Sequence, residues 1–119
     1  MDNKNINDSA PSQVYILHFH KPYWNNARGG CSHYVGYTTI GAEERIDLHR
    51  RGQGSLLVKY AHKKLGIDFE VGLIEDYPDR MSARYRELRL KREGHLSRHC
   101  EICKSLNANL KERRKNGNE

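Results

Sequence analysis

Cysteine is sparse in this sequence. Cys31, Cys100 and Cys103 are the only three in 119 residues, and an odd, widely separated set builds no disulfide framework of the kind small secreted domains need. Long apolar runs are missing too. Nothing approaches the ~20 consecutive apolar residues of a membrane-spanning helix, and residues 1–12 (MDNKNINDSAPS) contain no apolar stretch able to serve as the core of a secretory signal. These absences lead to the expectation of a cytoplasmic protein with no membrane partner. Acidic residues are the minority charge, 15 against 21 Lys and Arg, for a formal net charge of +6. That balance favours polyanionic partners, nucleic acid first among them, although small domains are also basic without any such partner.

What remains is enough for one domain: 36% hydrophobic and 30% charged residues, with a modest core and a polar surface. The expected organisation is a flexible, polar leader over residues 1–12, a folded domain over 13–103, and a basic, Asn-rich tail over 104–119. Residues 14–19 (VYILHF) are β-branched and aromatic and read as a strand. Pro22, Asn25, Asn26, Gly29 and Gly30 then mark a long loop, and residues 33–38 (HYVGYT) a second strand, most simply paired with the first as an antiparallel hairpin. A helix over 42–51 ends at Gly52 and Gly54. Ser55 caps a second helix reaching about Lys64, which Gly66 stops. Residues 68–74 alternate as a third strand, and Asp79 caps a helix over 80–93 that Gly94 terminates. The order is β-β-α-α-β-α, an α/β (α+β) chain.

Three constellations carry chemistry. Tyr15 and Tyr34 lie on the paired strands, where ordinary sheet packing is the plainer explanation for either taken alone. Arg45 and His49 are spaced i and i+4, on one face of the first helix; the first offers a fork of donors for phosphate oxygens and the second a proton-transfer group. Glu87 sits in the basic stretch Arg84-Tyr85-Arg86-Glu87-Leu88-Arg89-Leu90-Lys91. Met81, Tyr85 and Leu88 form one apolar stripe of that helix. Ala83, Glu87 and Leu90 form a second stripe, also able to pack. A surface pair with Lys91 would explain Glu87 at ~0.3–0.5 kcal/mol; a carboxylate ligand for a hard divalent cation is the functional alternative.

Taken in order, these strings resemble the GIY-YIG nuclease family, in particular its small stand-alone bacterial-type members. Val14-Tyr15-Ile16 is similar to the first element of the motif and Tyr34-Val35-Gly36 to the second. Arg45 and His49 match the Arg-x-x-x-His of the following helix, and residues 83–91 resemble the helix bearing the metal-binding Glu. The likeness covers residues 14 to about 103. It departs at Val14, where the motif's Gly is missing, in the long connection between Tyr15 and Tyr34, at Tyr37, where some relatives carry Lys, and at His99, where some carry Asn.

The resemblance implies a small three-stranded antiparallel sheet flanked by helices, and a metal-dependent endonuclease hydrolysing phosphodiester bonds, with DNA the expected substrate. It implies catalytic roles for Tyr15, Tyr34, Arg45, His49 and Glu87. Glu87 would hold Mg²⁺ (or Mn²⁺) and Arg45 would neutralise charge on the non-bridging oxygens. One tyrosine would align the attacking water, and His49 would relay its proton. A nucleic-acid-binding module with the same fold and little cleavage is the alternative. The complete residue set favours the enzyme, since binding alone needs no carboxylate in a basic cleft. A monomer is compatible with all of this. Cys100-x-x-Cys103, with His95 and His99 nearby, supplies part of a zinc site. A complete structural site wants four ligands, however, and Cys31 is remote in sequence, so zinc, a redox role and no bound metal all stay open.

Overall fold

A computed structural model describes residues 10–22 and 31–117, the side chains of 110–117 excepted. Most of the leader expected over 1–12, and residues 23–30 of the long loop, lie outside the described residues. The chain forms β1 (Ser12–Phe19), β2 (Ser32–Thr38), α1 (Ala42–Arg50), α2 (Leu56–Lys59) continued by a π-helical turn (Tyr60–Lys64), β3 (Phe69–Tyr77), α3 (Arg80–Glu93), a 3₁₀ turn (Leu96–Arg98) and α4 (Glu101–Gly117).

The three strands make one antiparallel sheet in the order β2-β1-β3. β1 takes the centre because its run of apolar residues can be buried on both faces: every residue but Gln13 is buried. The two-residue period of the strand divides it. Tyr15, Leu17 and Phe19 face a layer built from Ala42, Ile46, Val58, Ala61, Ile67 and Phe69, so α1, α2 and the π-helical turn cover this side. Val14 and Ile16 face Val35, Ala83 and Leu90, so α3 covers the other. In the hairpin Tyr15 pairs with Gly36, Leu17 with Tyr34 and His18 with His33. A bulge at Ile16/Leu17 interrupts the pairing with β3 near Gly72.

Local signals explain the boundaries. Gly41 turns the chain into α1 with φ of 101°, and the Gln13 side-chain oxygen accepts from the Ala42 N–H, tying the helix start to β1. Glu43 and Glu44 in the first turn and Arg50 in the last complement the helix dipole. Ser55 Oγ accepts from the Leu57 N–H, and Asp79 Oδ1 from the Ser82 N–H at 2.7 Å, as expected of N-caps. No helix among the described residues is long and apolar enough to cross a membrane.

Three boundaries differ in detail from those expected. The strand start at Ser12 takes one residue from the leader. The second helix narrows to α2 and continues as a wider π-helical turn instead of running as one α-helix to Lys64. The boundary between domain and tail, placed after residue 103, falls inside α4, which runs unbroken from Glu101 to Gly117. Cys103 in its first turn is buried, so the helix is anchored at its beginning, whereas Leu106 is exposed.

Candidate active site

Tyr15 leaves the central strand and its ring passes over Gly36 of β2. A methyl group at Gly36 would stand 2.5 Å from the ring carbon Cζ, so the glycine of the Tyr34-Val35-Gly36 motif is a steric requirement of the phenol beside it. The Tyr15 hydroxyl lies 2.7 Å from His49 Nε2. His49 is completely buried, and its ring lies so close to Gly54 that any Cβ there would overlap it. Gly54 therefore does more than end a helix, the role its position in the sequence suggests.

The hydrogen bonds settle which way the proton points. The Ser55 N–H donates to His49 Nδ1 at 3.3 Å. Burial, then the Arg45 guanidinium, push the His49 pKa down to about 4, so the ring is neutral near pH 7. A neutral imidazole that accepts at Nδ1 carries its proton on Nε2 and donates it to the Tyr15 oxygen. Arg45 hydrogen-bonds the same phenol. Burial still dominates: together with the fields of Tyr34 and Glu87 it pushes Tyr15 up to about 12, against the pull of Arg45. Tyr34 completes the cluster, half-buried, with its ring centroid 6.4 Å from that of Tyr15 and 5.5 Å from that of His49.

Glu87 arrives from the opposite layer. Of the two stripes on α3, the one holding Ala83, Glu87 and Leu90 turns inward, while Met81, Tyr85 and Leu88 stay exposed. Glu87 is only 4% exposed. Arg84 Nη1 donates to its Oε1 at 2.6 Å and Lys91 Nζ lies 3.3 Å from Oε2. Its charge reaches Tyr15, where it opposes ionisation of the phenol. An open cleft beside the cluster is lined by Tyr37, Thr38, Thr39, Ile40, Arg45 and Arg80, with the Arg84 guanidinium 5.4 Å from the Tyr37 ring. Tyr37, one of the departures from the motif, thus sits among three arginines.

The five residues singled out in the sequence fall into one neighbourhood. Tyr15, Tyr34, Arg45 and His49 cluster together, and the charge of Glu87 reaches Tyr15. Gly36 and Gly54, which admit the Tyr15 and His49 rings, are the residues that sequence reasoning undervalued; a glycine within a strand was the available signal for the first. Glu87 fits a divalent ion only in part. It is one carboxylate, enough for an ion that keeps waters and shares a substrate phosphate, and both of its oxygens already face cations that an ion must displace. The sulfur- and imidazole-rich part of the molecule lies elsewhere, and its make-up differs from the sequence-based expectation. His95 and His99 stay apart from Cys103, which meets His18, His33 and Cys31 instead. No family model, curated protein or solved structure matches the chain.

Proposed function

We propose that the protein is a metal-dependent endonuclease of the GIY-YIG type, acting on nucleic acid, with DNA the favoured substrate. The observation that carries the reading is a buried carboxylate, Glu87, held by Arg84 and Lys91, whose charge reaches the buried Tyr15 beside Arg45 and His49. A basic surface that only bound phosphates would gain nothing from sinking Glu87, because taking a carboxylate out of water costs several kcal/mol before its partners offset it.

In this reading the cleft lined by Arg45 and Arg80, with Arg84 beside Tyr37, receives the phosphate backbone. Arg45 lies beside the Tyr15 oxygen, so one guanidinium both orients the phenol and meets charge developing on the non-bridging phosphate oxygens. Tyr15 keeps its proton at neutral pH, because with a pKa near 12 only about one molecule in 10⁵ is phenolate. Its part is to orient the attacking water. His49, neutral and already donating, fixes the Tyr15 ring and does not relay a proton. Glu87 would hold a Mg²⁺ or Mn²⁺ ion, which supplies charge neutralisation at the scissile phosphate. Arg84 and Lys91 balance the carboxylate when that ion is away.

The ion pairs of Glu87 with Arg84 and Lys91 also favour a second reading, a binding module in which Glu87 merely braces α3. Incubation with branched, single-stranded and duplex substrates in Mg²⁺ separates the two. The expected result is cleavage by the wild-type chain and none by Glu87→Gln, with retained binding by the variant. Tight binding without cleavage by the wild type on every substrate would establish the binding module and end the nuclease proposal.

A further inference from the structure

His18, Cys31, His33 and Cys103 come from three separate stretches of chain, yet all their donor atoms lie within 4.8 Å of one another. His18 is on β1 and His33 opposite it on β2. Cys31 immediately precedes β2, and Cys103 is in the first turn of α4. Four of the six spacings come close to the edges of a coordination polyhedron. A tetrahedral zinc ion with Zn–S of about 2.3 Å and Zn–N of about 2.0–2.1 Å has edges of roughly 3.8 Å between two sulfurs and roughly 3.6 Å between sulfur and nitrogen. Cys31 Sγ and Cys103 Sγ are 3.8 Å apart. The sulfur–nitrogen separations are 3.5 Å from Cys103 to His18 Nδ1, 3.4 Å from Cys103 to His33 Nε2 and 4.0 Å from Cys31 to His33 Nε2.

The donor chemistry selects the ion. Two thiols and two imidazoles in a tetrahedral arrangement suit zinc, whereas Mg²⁺ takes oxygen ligands. Four protein donors leave no position open for substrate, which marks a structural and not a catalytic centre. Cys100, the other half of the Cys-x-x-Cys string, has a different task. Its sulfur lies 3.5 Å from His18 Nδ1 but outside the mutually close set, and it occupies the space that Gly72 leaves at the bulge, where a Cβ would stand 2.6 Å from it. A disulfide between Cys31 and Cys103 is the rival use of the two thiols, but it needs the sulfurs at about 2.05 Å, well inside the separation found.

We propose that His18, Cys31, His33 and Cys103 form a closed tetrahedral zinc site that pins the first turn of α4 to the β1–β2 hairpin. This site stands apart from Glu87 and does not depend on the nuclease reading. The test is elemental analysis of the full chain, purified without metal-affinity media, together with the visible spectrum after exchange into Co²⁺. One zinc per chain is expected, with a tetrahedral cobalt spectrum carrying charge-transfer bands from two thiolates. Cys103→Ser and His33→Ala should lose the zinc, while Cys100→Ala keeps it. Should the ligand variants fail to fold, the wild-type cobalt spectrum decides alone. Absence of thiolate charge transfer, a chain two mass units light from a Cys31–Cys103 disulfide, iron in place of zinc, or loss of metal in Cys100→Ala with retention in Cys103→Ser would each overturn the proposal.

Discussion

Alanine at Gly36 would place a methyl carbon 2.5 Å from Cζ and 3.0 Å from Cε2 of Tyr15. Carbon atoms in proteins rest at roughly 3.5–4.0 Å, so the ring must retreat by about an ångström. It has little room to do so. Tyr15 is 1% exposed, packs in the same layer as Ile46 and Val58, and is hydrogen-bonded to a wholly buried His49. Overpacking of this kind costs ~1–3 kcal/mol. At ~4–8 °C per kcal/mol for a domain of about this size, the melting temperature of Gly36→Ala should fall by roughly 4–24 °C. Displacing the phenol by ~1 Å should also slow phosphodiester cleavage by about 100-fold, beyond what partial unfolding explains if the assay is run well below the new melting point. Thermal denaturation followed by circular dichroism and single-turnover cleavage on the same preparations read the two effects separately. Wild-type stability would refute the packing argument. A destabilised variant with wild-type cleavage would remove Tyr15 from the mechanism while leaving the packing intact.

His49 is buried neutral, with its folded pKa lowered to about 4 from an unfolded 6.5. Its contribution is therefore complete above pH 6.5 and lost as the pH falls through about 4, and His49→Gln should flatten that part of the acid-unfolding profile; an unchanged profile would mean the ring is not held as described. Tyr15, raised to about 12 from 10, contributes fully below pH 10 and loses that contribution between pH 10 and 12, which a spectrophotometric tyrosine titration detects as one late-ionising phenol. Arg45→Ala should lower turnover by at least ~100-fold and weaken binding less; equal losses in both would make Arg45 a binding residue only. Removing residues 110–119 takes away Lys111, Arg113, Arg114 and Lys115, so the slope of log affinity against log salt should become shallower by up to about 4, with little change in melting temperature, and an unaltered slope would leave the segment without a part in binding.

The reach of the sequence followed the reach of its local signals. The β1 run, the Ser55 and Asp79 caps and the glycines after the helices act within a few residues, and the structure places each element close to where they point. Tyr15, Tyr34, Arg45 and His49 lie on elements adjacent in the chain, so their grouping could be read from motif order. Glu87 was harder, because α3 has two stripes and the more apolar one, Met81, Tyr85 and Leu88, is the one left outside. Only the sheet beneath α3 decides which stripe turns in. The His18–Cys31–His33–Cys103 cluster was out of reach. It depends on a cross-strand register setting His18 against His33 and on the return of α4 from beyond α3, whereas spacing along the chain offered Cys103 only His95 and His99. The polarity that set the tail apart belongs, over residues 104–109, to the exposed side of a helix whose first turn is buried.

The central place of β1 also sets the order in which the chain can be assembled. As residues leave the ribosome, β1 can pair with β2 at once, but its other edge stays bare until Phe69–Tyr77 has been made. Until then the nascent chain displays an apolar strand with a row of unpaired backbone groups, the kind of edge that recruits other strands. Between the two partners of β1 come α1, α2 and the π-helical turn, which cover one face of the hairpin before its edge is closed. A ribosome stalled before Tyr77 would thus hold a chain prone to aggregate, and the last strand to be made is the one that protects the first.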